Sequence, residues 1–382
     1  MKFSVNKSTF MNVLTPAMGT VAGKNLITAI EGVLIETLED GDIRVSTYDM
    51  DKGVRATFTP NSIEEEGKFI INAQRLYQTV RVLPEDEITI EVNDKLNCII
   101  TSAKASFSMF AMRGEDFPNL PDLVSDRGFE VSSASLKNVI SKVSHSISLQ
   151  DTRVMLRGAF FKINEKGMQV VSCDNYTLSK CNMVCDINGT NGTVDYSFII
   201  PGHALAELVK ILPSSDDFIC TFYITRKHAI IKCDNIVFFT RTIDSEYIDY
   251  NRIIPKDNDI IVEIDRERLL MGLERANIIA EEKIQGSGRS YVKIKVEDNT
   301  LILTSASVNG KVTDEMECAH SGNEIEIGFN CRYLINSVRV AEGENLKLTL
   351  KSPTHAITIE STEENGEFNY FYMILPVRMN EQ

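Results

Sequence analysis

The sequence predicts an α+β protein in which one unit, two helices on antiparallel sheets, is repeated three times. Three observations predict it. A helix-like segment recurs every 129 residues, as INAQRLYQTVRVLP (71–84), IPGHALAELVKILP (200–213) and FNCRYLINSVRVAE (329–342). A strand running into a helix recurs as KFSVNKSTFMNVL (2–14), FEVSSASLKNVI (129–140) and VEIDRERLLMGL (262–273). Two alternating runs about a charged turn recur as GVLIETLEDGDIRVSTYD (32–49), GAFFKINEKGMQVVSCD (158–174) and, more faintly, SYVKIKVEDNTLILTSA (290–306). A period this long is a whole domain, larger than any solenoid unit.

Each element follows from its own pattern. In the opening strand Phe3, Phe129 and Val262 align, then Val5, Val131 and Ile264. The spacing then turns helical, with Phe10, Leu136 and Leu269 in register. Pro16 and Gly19 interrupt the first of these helices. A pair of strands follows, joined by Asp-Gly, Lys-Gly or Asp-Asn, the chemistry of a tight hairpin. The second helix keeps Leu76, Leu205 and Leu334 in register, and Val80, Val209 and Val338. Strands such as EITIEVND, LNCIITSA and AIIKCDNIVFFTRT complete the units. The expected helices are 8–21, 73–83, 134–147, 203–212, 266–280 and 331–341. The expected domains are 1–127, 128–254 and 255–382, with the turn-rich FPNLPDLVSDRG and YIDYNRIIPKDN at the joints. Triplication implies a pseudosymmetric object, and such objects often close.

At 382 residues the chain exceeds one ordinary core. Its 43% hydrophobic and 25% charged residues are those of a soluble globular protein. No apolar run suits a signal peptide or a membrane span. The eight cysteines lack metal-ligand spacing and read as buried reduced thiols, so a cytoplasmic location is expected.

Net charge is −14, which by itself argues against nucleic acid. Its distribution argues otherwise: the six expected helices sum to +7, leaving −21 on the rest. Arg81, Lys210 and Arg339 occupy one register position in the three second helices. The polar stripes there read Gln74, Gln78, Arg81; His203, Glu207, Lys210; and Arg332, Asn336, Arg339. One basic helix face is commonly only solvated surface. Three at a common register in an acidic chain suit a polyanion held by phosphate contacts. With few aromatics and no dense basic reading helix, duplex backbone without sequence readout fits best.

Catalytic chemistry is not evident. GSGRS (286–290) lacks the features of a phosphate loop, and no H-E-x-x-H occurs. Glu64, Glu65 and Glu66 read as a solvated turn. Ser144, His145 and Ser146 near Asp151 are neighbours whose side chains point apart on a helix. No catalytic residue, metal ligand or cofactor is expected.

MKFSV at the start, DFPNL (116–120), QDTR (150–153), DYNRIIPK (249–256), EIGFN (326–330) and MILPVRM (373–379) resemble, in this order and over the whole chain, the bacterial sliding clamps, the beta subunits of the replicative DNA polymerase. The resemblance implies clamp domains forming half of a closed ring, helices inside and sheets outside, with two chains joined head to tail around duplex DNA. It implies a processivity factor rather than an enzyme. Its partners would be DNA, a second copy, an ATP-driven clamp loader, and polymerases and other clients carrying short motifs. Lys24, Gln150 and His203 match DNA-touching positions, His203 standing where lysine is usual. Phe107, Met109, Ile278 and Ile279 match dimer contacts; without the resemblance they read as core.

A peptide groove is implied at Met155, Leu156, Asn175, Tyr176, Thr177, Leu178, Ile248, Arg252, Ile253, Tyr333, Met373, Ile374, Leu375, Pro376, Val377, Arg378 and Met379. The chain departs from the family there. Asp174-Asn175-Tyr176-Thr177-Leu178 replaces the usual Asp-Gly-His-Arg-Leu, Ile248 replaces proline, and Asn380-Glu381-Gln382 extends the usual end. A groove that still binds such peptides, with shifted preference, is expected. Two other readings stand beside this one. One is a three-domain scaffold or regulator binding proteins without encircling DNA; the other is a nuclease or glycosidase with a concealed carboxylate pair.

Overall fold

The computed structural model describes residues 1–84, 87–121, 123, 125, 127–185, 187, 189, 194–280, 291–307, 309–362 and 367–379. Its α-helices are α1 (Lys7–Ala17), α2 (Ala73–Val82), α3 (Ser133–Val143), α4 (Gly202–Ile211), α5 (Arg266–Ala280) and α6 (Cys331–Val340). Each expected helix is present. The first is shorter than its apolar spacing suggests. Pro16, lacking an N–H, sits in its last turn, and a 3-10 turn at Met18–Thr20 ends it. The stretch expected as helix to 147 likewise gives way after Val143 to the 3-10 turn Ser144–Ser146.

The helix ends are satisfied in a repeated way. Asn72 and Asn330 cap α2 and α6, their side-chain oxygens accepting from the N–H groups of Arg75 and Arg332 at 3.1 Å. The first residue of α1, α3 and α5 reaches a carbonyl just past the end of the second helix of its repeat. Lys7 Nζ donates to Leu83 O at 2.7 Å, Ser133 Oγ to Pro213 O at 2.9 Å, and Arg266 Nε to Gly343 O at 3.2 Å. Carbonyls left over by helix ends are good acceptors, and a cation there also meets the negative end of the helix dipole.

Contact density divides the chain into two compact units. One is built mainly from Met1–Ala134 and His203–Thr242, the other mainly from Ser135–Ile187 and Ile243–Gln382. The first holds a 13-stranded antiparallel sheet; the second holds sheets of nine and four strands. The units cut through the central repeat because sheets run unbroken from one repeat into the next. In the first unit Lys52–Phe58 pairs with Ile236–Arg241. In the second, Thr177–Val184 pairs with Phe368–Ile374.

Among the open sheet edges of the described residues, two lie on strands equivalent to those that pair across the internal joints. Lys311–Glu317 pairs only with Thr300–Ala306. Ala105–Arg113 pairs with Asn97–Ser102 along 105–110, and reaches Lys68–Asn72 only through 111–113. Each unit has an apolar interior; Val262, Leu273, Leu303, Phe329 and Tyr372 lie in that of the second.

Candidate binding groove and basic helix faces

The groove positions lie in the second unit, over an apolar cluster. Leu156, Leu178 and Met373 are buried there with Cys173, Tyr250 and Ala356, and Met155 and Ile248 pack against them. The 3-10 turn Val154–Arg157 delivers Leu156, while strand pairing sets Leu178 opposite Met373. Side chains alternate along a strand, so its neighbours part company. Ile374 turns into the core beneath the other face, and Leu375 is exposed. Thr177 also turns inward, 2% exposed, donating to Ser146 Oγ at 2.9 Å. These two assigned residues therefore support the groove from behind rather than line it.

The tail is held by main-chain bonds. Leu375 N–H donates to Tyr176 O, and Val377 N–H to Gly328 O, each at 2.8 Å. Gly328 is needed for this approach, since a Cβ there would lie 2.8 Å from Met379 Cγ. Pro376 and Met379 are partly buried, and Arg378 is exposed. Tyr176, half-exposed, stacks on Tyr333 of α6 with ring centroids 5.8 Å apart. Ile253 is exposed, and Arg252 is exposed but paired with Asp249 at 2.8 Å.

Sequence reasoning missed the clamp on the rim. Arg153 donates through Nε and a terminal nitrogen to the two oxygens of Asp151, at 3.1 and 3.0 Å. Asn175 donates to Asp151 at 3.0 Å and accepts from Arg153. The Arg153 hydrogen bonds hold the Asp151 carboxyl down at about 2. Both residues fall inside the QDTR string, but nothing in that string shows that Asn175 will meet them.

The second helices carry their basic residues outward. Gln74, Gln78 and Arg81 are exposed on α2, as are His203 and Lys210 on α4, and Arg332 and Arg339 on α6. Some of this charge is already answered: Lys210 pairs with Glu207, and Arg339 with Glu274 of α5, both at 2.9 Å. Arg332, Asn336 and Arg339 share a cleft of about 320 Å3 with Glu274, Asn277 and Ile335. Lys24 and Gln150 are exposed on the loops before the 3-10 turns Thr28–Glu31 and Val154–Arg157.

Phe107, Met109, Ile278 and Ile279 do not behave as core. Phe107 is 37% and Ile278 71% exposed, and Met109 and Ile279 are only partly buried. Phe107 and Met109 lie on the open stretch 105–110; Ile278 and Ile279 end α5. Among the described residues no group of three or more His, Cys, Asp or Glu is placed to hold a metal ion.

Three family models match the chain in succession. They are the N-terminal domain of the DNA polymerase III beta subunit at 1–121, its central domain at 130–249 and its C-terminal domain at 251–378. The beta sliding clamp of Bacillus subtilis is 25% identical over 390 residues, spanning 99% of this chain and 100% of the relative. That of Escherichia coli K12 is 25% identical over 381 residues, with the same coverage. Among solved structures, the DNA polymerase sliding clamp from Bacillus subtilis superposes with a TM-score of 0.90 at 24% identity, covering all of both chains. The beta subunit from DNA polymerase of Streptococcus pyogenes gives 0.90 at 22% identity, over 99% of this chain and 100% of the other.

Proposed function

Because the chain belongs to the DNA polymerase III beta subunit family, the sliding clamps, with three clamp domains of helices and antiparallel sheets, we propose that two copies close head to tail into a ring around duplex DNA. One observation carries this reading. In both internal joints, the fourth strand of one repeat pairs with the last strand of the next. The corresponding fourth strand of the last repeat, Lys311–Glu317, and the last strand of the first, Ala105–Arg113, each keep an open edge on the side that pairs at those joints. A head-to-tail contact between copies would satisfy both.

The work of such a ring is topological. Arg81, Lys210, Arg332 and Arg339, with Lys24, Gln150 and His203 beside them, make weak, exchangeable phosphate contacts that permit sliding. Closure prevents escape, so the chain itself needs no nucleotide site and no catalytic residue; a clamp loader opens the ring. The groove of Leu156, Leu178, Met373 and their neighbours holds short motifs of replicative and repair polymerases by apolar anchors. The domains would run 1–127, 128–254 and 255–382, in the cytoplasm.

Molar mass in solution by light scattering, followed by retention on circular against linearised DNA, tests the reading. A species of twice 42.8 kDa that stays on circles and runs off linear ends is expected. A dimer that leaves both at one rate would mean a scaffold that does not encircle DNA.

A further inference from the structure

The internal joints fix more than the existence of a contact between copies. Each repeat has a turn closed by the same main-chain bond before its fourth strand: Asp49 N–H to Lys52 O, Asp174 N–H to Thr177 O, and Ser307 N–H to Gly310 O, at 3.1, 3.0 and 2.8 Å. Lys52, Thr177 and Gly310 are therefore equivalent. The other side can be counted the same way. The last residues of the opening strands, Asn6, Ser132 and Asp265, face Glu87, Ile219 and Asn345. Two residues on, Thr89, Thr221 and Lys347 face Thr101, Lys232 and Glu360. Those in turn face Ser106, Val237 and Phe371, so Met109, Thr240 and Ile374 are equivalent too.

Both internal joints use one register. Lys52 faces Thr240, and Thr177 faces Ile374. Both also carry the same closing bond, from Arg241 N–H to Asp51 O and from Leu375 N–H to Tyr176 O, each at 2.8 Å. The first joint extends past its named strands, with Thr57 N–H donating to Asn235 O at 3.1 Å.

Resting on the head-to-tail reading above, we propose that the contact between copies repeats this register, with Gly310 facing Met109, Val312 facing Phe107 and Glu315 facing Lys104. Phe110 N–H then donates to Asn309 O. The surroundings fit. Gly310 and Asp314 lie on the α5 side of their sheet: a Cβ on Gly310 would sit 3.6 Å from Ile279, and Arg275 of α5 pairs with Asp314. Side chains on one face alternate, so Phe107 and Met109 arrive beside Ile279 and the partly buried Val312. Lys104 and Glu315, both exposed, meet on the opposite face as a cross-strand pair of opposite charge. A register slip of one residue would instead send Phe107 and Met109 away from α5.

The closing bond also sets the phase of the ladder. Phe107 and Val312 fall on a non-hydrogen-bonded pair, the kind with the closer approach, which suits a disulfide. The test is a mixture of copies, or a single chain, carrying Phe107→Cys and Val312→Cys, oxidised by copper-phenanthroline beside the parent chain. A covalent dimer that does not form with Phe107→Cys and Gly310→Cys is expected. Charge reversal gives a second readout. Lys104→Glu or Glu315→Lys alone should raise the dimer Kd on the order of 10-fold, and the two together should recover most of it. A dimer by light scattering that cross-links through the Gly310 pair overturns the register and leaves the ring. A monomer at micromolar concentration overturns both.

Discussion

The ring of Tyr176 lies over that of Tyr333, 5.8 Å between centroids and 21° from parallel, at the place where the family resemblance puts histidine. The stack joins the turn before Thr177–Val184 to α6, and the carbonyl of Tyr176 also holds Leu375 of the tail. A stack of this kind contributes about 0.5–1.5 kcal/mol beyond the area it buries. A ligand needing a polar contact at that point must displace it. Tyr176→His should therefore strengthen binding of a glutamine-bearing clamp peptide by about fivefold. Fluorescence polarisation against a scrambled peptide measures this. Equal affinities for the two proteins would mean that the stack plays no part in selection.

Phosphate contact by the helix faces has a graded prediction. Lys210 and Arg339 already share their charge with Glu207 and Glu274. Glu207→Gln should therefore tighten binding to linear duplex and steepen its salt dependence, because it frees Lys210. Arg81→Ala should do the reverse, lowering the slope of log K against log salt by about one. Binding titrations from low to moderate salt separate the two. Identical slopes in both variants and the parent would place the duplex elsewhere.

How much was legible in the sequence depended on which interactions are periodic. The repeat, the six helices and the hairpins at 32–49 and 158–174 were readable because burial imposes periods of 3.6 and 2 on the chain. The end of α1 depended on one Pro, which sequence can flag but not place. The groove was legible only through family strings. Its parts come from five separate stretches, and no local pattern foretells that Asn175 meets Asp151 or that Tyr176 meets Tyr333. Thr177 and Ile374 were assigned to the groove by string position, and strand alternation turns them inward. The exposure of Phe107 was hidden for a different reason. An edge residue of a sheet has the same alternation as a core residue, and only the missing neighbour distinguishes them.

The cysteines should sort by burial. Desolvation pushes the thiols of Cys98, Cys173, Cys181 and Cys220 up to about 12, since the thiolate is disfavoured in an apolar interior. Cys185 and Cys318 are only partly buried. Native protein treated with iodoacetamide at pH 8 should be modified at these two first, and all eight should react in guanidinium. Peptide mass mapping reads the order. Rapid labelling of Cys181 in native protein would contradict the packing of Thr177–Val184 against Phe368–Ile374.

His145 supplies the pH dependence. It follows α3 in the turn Ser144–Ser146, edge-on to Tyr372, with Nε2 3.0 Å from Ser179 Oγ and 3.2 Å from Ser337 Oγ. Burial lowers its pKa from 6.5 to about 4, because a charged imidazolium has no water there. Below 6.5 the unfolded chain takes up a proton that the folded chain refuses. Its contribution is therefore complete above pH 6.5 and is lost as pH falls toward 4, by about 3 kcal/mol at most. Asp151, held down at about 2 by Arg153, acts only lower, between its ordinary 3.8 and that value. Denaturant midpoints measured from pH 7.5 to 4 should fall for the parent chain. His145→Gln, which keeps a hydrogen-bonding group without titrating, should flatten the upper part of that curve. An unchanged slope between pH 6.5 and 4.5 in the variant would assign the acid sensitivity to other groups, among them His228, whose pKa burial also lowers.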